Sequence, residues 1–263
     1  MSRVERAVLG LLWLVAGSVL FALYAPAILV VVRSFFDTRG NSIDWETFGL
    51  QWYRSLLSNQ DILAALGNSL VVGVAAVAAA TSFAVGLAYY MKTGRRRGRA
   101  FVETAIFLPF VLPPIVTGIS LLIACRELGI ESSLLTVTVG HTALILAIIY
   151  RMVTVRMEGL EDSQIEASLD LGANHSQTFF LVVLPQLRSV LVTSALLAFT
   201  LSFDETLVSF FLVGSDMTLP IRLWSMLRVG FSPEVNAFAT VVLLATAAMT
   251  VAGALSLKNE VGK

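Results

Sequence analysis

Hydrophobic positions in this chain fall in long unbroken blocks rather than in the alternation of a half-buried strand or the stripe of a surface helix. Runs free of Asp, Glu, Lys and Arg cover residues 7–32, 62–91, 104–125, 132–150 and 235–257. Roughly 20 helical residues cross a hydrocarbon core, and each run is near or above that length. A sixth block, 189–215, has the right length but holds Asp204 and Glu205. The pattern predicts an all-α membrane protein with six transmembrane helices at about 7–33, 62–91, 101–125, 133–156, 187–213 and 235–257, forming one domain over 1–263.

The connections carry patterns of their own. Residues 33–61 include Trp45, Phe48, Leu50, Trp52, Tyr53, Leu56 and Leu57, a composition suited to a short helix in the membrane interface. The stretch 216–234 is apolar enough for an interfacial or re-entrant helix, through Leu219, Ile221, Leu223, Trp224, Met226 and Leu227. Pro109, Pro113 and Pro114 predict a bend in the third span. Between the fourth and fifth spans, 158–172 reads as a turn and a short helix, with Ser163 and Glu166 in capping-box spacing and Gly172 at the left-handed position past its end. Asn174 or Ser176 then starts a second helix through Phe179, Phe180 and Val183, ending before Pro185. Two such helices at a right angle make either a knob that seats in another protein's groove or a self-packed connection.

Composition agrees with the pattern. The 263 residues are 57% hydrophobic and 14% charged, whereas soluble domains carry about 25% charged residues, and a soluble fold of this size lacks the interior to hide the excess. The formal net charge of zero is uninformative; its distribution orients the chain. With the N-terminus inside, 12 of the 18 Lys and Arg residues fall on the cytoplasmic side, including the short basic run at 95–99. Both termini are then cytoplasmic, and that run serves orientation rather than nucleic-acid binding. The first block is too long for a signal-peptide core and is read as a span. Cys125 is the sole cysteine, and His141 and His175 are far apart in sequence. No metal-ligand spacing results, and each histidine is assigned a packed or hydrogen-bonded role.

The segment between the fourth and fifth spans resembles the signature loop of permease subunits of ATP-binding-cassette (type I, binding-protein-dependent) importers: Glu-Ala-Ala, three residues, Gly, nine residues, Ile, one residue, Leu-Pro. Here Glu166-Ala167-Ser168 is followed by Gly172, Val182 and Leu184-Pro185 with the spacing kept, departing only at Ser168 and Val182. The resemblance implies a coupling-helix loop over about 158–186, with Glu166, Ala167, Ser168, Asp170, Gly172, Ala173, Leu184 and Pro185 as the ATPase-coupling residues. Glu166 would either cap the helix or pair with a basic group on the ATPase. It also implies that ATP and Mg are bound by the partner ATPase, with no cofactor or catalytic residue in this subunit. Neither Thr93-Gly94-Arg95 nor Arg97-Gly98-Arg99 has the spacing of a phosphate-binding loop.

Carboxylates within a span are costly unless paired, hydrated or facing a cavity, so they mark a functional site by default. Asp204 and Glu205, with Ser202, are the candidate substrate-pathway residues; an anionic lining suits a cationic solute. The alternative is that both carboxylates solvate a helix break or pair with Arg222 or Arg228. Ser202-Phe203-Asp204-Glu205, Val208-Ser209-Phe210-Phe211, Leu219-Pro220, 232–237 and Asn68-Ser69-Leu70 are similar to the second permease of spermidine/putrescine importers. Related permeases for opines, amino acid derivatives, ferric iron, sulfate or thiamine share much of this pattern. The resemblance implies a bacterial inner-membrane location, a second homologous permease in a heterodimer, a dimer of cytoplasmic ATPase subunits and an extracytoplasmic solute-binding protein. An ion-coupled secondary transporter could use the same carboxylates but would have no use for the coupling loop.

Overall fold

The computed structural model describes residues 3–39, 42–93, 98–229, 233–244 and 247. It is helical almost throughout, as expected of apolar runs whose backbone groups must be satisfied without water. Four helical stretches are long and apolar enough to cross a membrane: Val8–Arg33, Gln60–Thr93, Leu134–Glu158 and His175–Asp204. A bent pair, Arg99–Val111 with Pro114–Glu127, makes five if it counts as one span. The apolar helix Pro233–Leu244 opens the expected sixth span. The rest of that span and the basic residues 95–97 lie outside the described residues.

The chain divides into two units, Met1–Ile62 with Leu223–Lys263, and Leu63–Arg222. In the first, α1 (Arg3–Arg33) is apolar all round, and no residue of its apolar window is buried. The connection after it holds a two-stranded antiparallel pair, β1 (Asp37–Arg39) and β2 (Ser42–Asp44), which the sequence pattern did not predict. Then comes α2 (Gln51–Ser58), the expected short helix. Asp37 Oδ1 accepts bonds from Gln51 Nε2 and Trp52 Nε1, both 2.8 Å, which fixes the strands to α2. Phe35 stacks on Phe48 and packs at a tilt against Tyr53, and Phe36 meets Trp45 and Phe48 edge-on. The expected interfacial aromatics thus cluster on one another. Ser55 and Asn59 both donate to the Glu234 carboxylate.

The second unit carries most of α3 (Gln60–Thr93), then α4 (Arg99–Val111), α5 (Pro114–Glu127) and α6 (Leu134–Glu158). After these come α7 (Asp162–Asp170), α8 (His175–Thr178), a π-helical turn (Phe179–Val183), α9 (Leu184–Asp204) and α10 (Leu207–Leu212). The helix α11 (Leu219–Val229) begins at its end, where the sequence predicts one. Ala76, Ala80, Ala84 and Ala88 recur every four residues along α3 and are all buried. Without a Cβ chain beyond a methyl, that face lets neighbouring backbones approach closely, which drives helix association in lipid. They share a core with Ile145, Ile149, Tyr150 and Val153 of α6 and Leu187 and Ala198 of α9.

Two expected elements differ. The third span is broken rather than kinked: α4 and α5 meet at 110°. Pro113 holds Leu112 extended (φ −67°, ψ 145°), and Pro114, lacking an N–H, suits the first turn of a new helix. The second helix of the loop does not stop before Pro185 either. The chain runs on from His175 to Asp204 because the π turn widens the coil, with the Leu184 N–H donating to the Phe179 carbonyl five residues back. Pro185 then sits in the first turn of α9, where its missing donor costs nothing.

Candidate functional site

The predicted coupling residues form one structure around α7. The helix starts at Asp162 with Glu161 at the cap position, and no side chain makes a cap bond. Ser163 is inside the helix, its hydroxyl 3.3 Å from Glu161 Oε2, so the expected Ser163–Glu166 capping box is absent and Glu166 has no capping role. The C-terminal prediction holds. Gly172 has φ +89°, its N–H donates to the Leu169 carbonyl, and that of Ala173 donates to Ser168. This paired pattern satisfies carbonyls the helix leaves open. Asn174 caps α8, accepting the Gln177 N–H at 2.8 Å while Gln177 Oε1 accepts its own N–H.

Ser168, one of the two departures from the signature, has a visible use. Its hydroxyl is 3.0 Å from the buried Thr178 Oγ1, tying α7 to α8. Ile165 is buried beneath α7, and Leu184 and Pro185 lie at the start of α9 beside buried Val183 and Leu187. Glu166, Ala167, Asp170 and Gly172 are exposed, and Leu171 is 88% exposed at the tip. Leu171 thus stands bare beside the Asp170 carboxylate on a tightly wound turn. His175 lies in the first turn of α8, where its carbonyl accepts from Tyr89 Oη at 3.2 Å.

The second constellation surrounds the carboxylates. Asp204 is the last residue of α9; Glu205 is extended (φ −70°, ψ 113°) and α10 restarts at Leu207. The expected single helix from 187 to 213 is therefore broken at these two residues, and they do not project from one regular helix. Glu205 Oε1 accepts the Val208 N–H at 3.0 Å, placing negative charge at the start of α10, while Asp204 is exposed.

His141 of α6, only 2% exposed, spans this break. Its Nδ1 is 2.8 Å from Ser202 Oγ on α9, and its Nε2 is 2.8 Å from Ser209 Oγ on α10. Ser209 donates its one hydroxyl proton to the Glu205 carbonyl at 2.9 Å, so it accepts from Nε2–H, and Nδ1 accepts from Ser202. One directed chain of bonds thus runs Ser202, His141, Ser209, Glu205. His141 has the hydrogen-bonded role expected of it. Its partner Ser209 was not singled out from the sequence, although seven residues separate it from Ser202, two helical turns. Glu205, Ser202 and His141 line a cavity of about 140 Å³ whose other walls are Phe110, Pro114, Leu144, Ile145, Ile148 and Leu201. The α4–α5 break contributes two of these. The site therefore offers one carboxylate, a hydroxyl and an imidazole in a recess whose remaining walls are apolar.

The position of α10 depends on two glycines. A Cβ at Gly118 of α5 would meet Phe211 Cδ2 at 2.8 Å, and one at Gly140 of α6 would meet Leu212 Cδ1 at 2.6 Å and Val208 Cγ1 at 2.7 Å. Thr136 Oγ1 shares its one hydroxyl proton between the Ser133 carbonyl at 2.7 Å and the Leu212 carbonyl at 2.8 Å, at the far end of α10.

Residues 80–258 match the family described as binding-protein-dependent transport system inner membrane component. The chain is 34% identical to the spermidine/putrescine transport system permease protein PotC of Escherichia coli K12, over 90% of both chains. It is 33% identical to the putrescine transport system permease protein PotI of the same organism, over 84% of this chain and 81% of that one. Among solved structures, a bacterial ABC transporter involved in the import of the acidic polysaccharide alginate superposes with a TM-score of 0.70 at 19% identity, covering 97% of this chain and 98% of that one. The MetNI methionine ABC transporter gives 0.60 at 19% identity, covering 79% and 97%. At these identities the structures speak to fold, and the family match and curated relatives to kinship. The chain belongs to the family of inner-membrane components of binding-protein-dependent transport systems, as a permease subunit of an ABC importer.

Proposed function

We propose that this permease conducts a polyamine, putrescine or spermidine, across the inner membrane, with Asp204, Glu205 and Ser202 on its route. The observation that carries the reading is Glu205: a carboxylate at a helix break, lining a mostly apolar recess, in a chain 34% identical to a spermidine/putrescine permease. An alkyl diamine suits such a recess, one ammonium end against Glu205 and the methylene spacer along the apolar wall. The working assembly is a heterodimer with a sister permease, two ATPase subunits that hold ATP and Mg, and an extracytoplasmic binding protein. Six spans with both termini cytoplasmic put α7, the Gly172 turn and α8 against the ATPase. Glu166, Ala167, Ser168, Asp170, Gly172, Ala173, Leu184 and Pro185 build or support that contact. The exposed Leu171 tip supports it.

The test is the double variant Asp204→Asn, Glu205→Gln. Glutamine keeps the oxygen that accepts the Val208 N–H, so the start of α10 stays capped while the charge is lost. Polyamine uptake is expected to fall at least tenfold with subunit assembly unchanged. Unaltered uptake would remove the carboxylates from the route.

A further inference from the structure

Lys92, in the last turn of α3, enters the sequence reading only as one more basic residue. We propose that it is a positioning residue for energy coupling: its ammonium makes a three-point joint fixing the first turn of α7 to the ends of α3 and α6. The inference rests on the reading of α7 as the ATPase-facing element.

An ammonium has three N–H donors and no acceptor, and here all three are used. Lys92 Nζ donates to the Met157 carbonyl at 2.9 Å and to the Leu160 carbonyl at 2.8 Å, and pairs with Asp162 Oδ1 at 2.8 Å. Met157 is in the last turn of α6, at the negative end of its dipole, and Leu160 follows two residues past the helix, its own N–H bonded to the Met157 carbonyl at 3.1 Å. Asp162 is the first residue of α7. One charged group thus reads the end of one helix and the beginning of the next.

The three arms are unequal. The lysine side chain is 13% exposed and that of Asp162 is 77% exposed. Water screens the ionic arm, which adds little hold. The two carbonyl arms lock α3 to α6, and the aspartate sets the direction in which α7 leaves. A second tie sits beside the first. Arg99, opening α4, bonds Glu103 at 2.7 Å on its own helix and Glu158 at 2.9 Å at the end of α6. Lys92, Arg99, Glu158 and Asp162 line one polar cavity of about 300 Å³. Three helices therefore converge on the short connection, Gly159 to Glu161, from which α7 departs. Left to itself that connection would act as a hinge and absorb a push on α7. Gripped by Lys92 at Met157, where α6 ends, and again within the connection at Leu160, it passes the push to the axes of α3 and α6.

The experiment uses the full reconstituted importer with putrescine as the probe, in a Cys125→Ser background carrying spin labels at Tyr90→Cys and Ser163→Cys, both exposed positions. The distance between labels is measured with and without ATP, alongside ATP hydrolysed per putrescine imported. The joint predicts one narrow distance that is the same in both nucleotide states. In Lys92→Met the distribution broadens and ATP consumed per putrescine rises at least threefold, with ATPase association retained. Asp162→Ala, which alters an exposed residue, shows a smaller rise in the same direction and carries the test if Lys92→Met does not assemble. A distance that shifts with nucleotide in the parent protein would overturn the joint, as would variants that leave both width and stoichiometry unchanged. Failure of the docking reading has a separate signature: surface changes at Leu171 and Gly172 that leave ATPase association intact.

Discussion

At the scale of single residues, the hydrogen-bonding capacity of His141 explains more than its charge. A neutral imidazole offers one donor and one acceptor, and the two serines flanking the break use both. Sequence alone placed His141 in a span with a packed or hydrogen-bonded role, but not the partners, because Ser202 and Ser209 lie 61 and 68 residues away. Replacing it with leucine of similar bulk leaves Ser202 buried without its partner, while Ser209 keeps the Glu205 carbonyl. Interhelical polar contacts in membranes are worth about 1–2 kcal/mol. His141→Leu is therefore expected to lower the thermal midpoint of the purified assembly by a few degrees and to reduce transport, whereas Ser209→Ala does less. Equal midpoints for His141→Leu and the parent would remove the bridge from the account. Glycines divide in the same physical way: Gly140 is required by the side chains of α10, Gly172 by its own φ of +89°.

Among elements, the loop between α6 and α9 was the most legible. Its spacing predicted the short helix, the left-handed glycine and a start of the next helix at Asn174 or Ser176, of which the structure has Asn174. All three are present because each is a local rule of backbone geometry. The misreadings share a cause. Ser163 and Glu166 have capping spacing, but Glu161 begins the helix two residues earlier than that motif requires. The break at Glu205 was open only as an alternative, since no proline or glycine announces it; local bonds from Val208 and Ser209 to Glu205 shape it, and His141, 61 and 68 residues from its two serines, bridges it. The β1–β2 pair was likewise invisible, being three residues a side and fastened by Asp37 to α2. For the loop the expectation is specific. A Cβ at Gly172 would meet nothing within 4 Å, so Gly172→Ala costs only the left-handed backbone, about 1 kcal/mol. Gly172→Asp adds a charge beside Leu171 and is expected to cut uptake at least tenfold with membrane insertion intact, measured as transport against membrane-fraction abundance. Wild-type uptake by that variant would dismiss the tip as a contact.

For the whole molecule, α1 has no buried residue in its apolar window, and Leu, Val and Phe side chains stand exposed along most helices. A soluble protein could not tolerate that surface; lipid solvates it directly. Composition already required a membrane, and the family match supplies the importer. The recess at Glu205 is where the proposed route would meet a cation with an alkyl body. The most direct test is uptake of radiolabelled putrescine and spermidine by proteoliposomes containing this chain, its sister permease, the ATPase and the binding protein. The account predicts accumulation that requires ATP, the binding protein and this chain together. Accumulation driven by an ion gradient without ATP, or ATP-driven uptake confined to a non-amine solute, would contradict it.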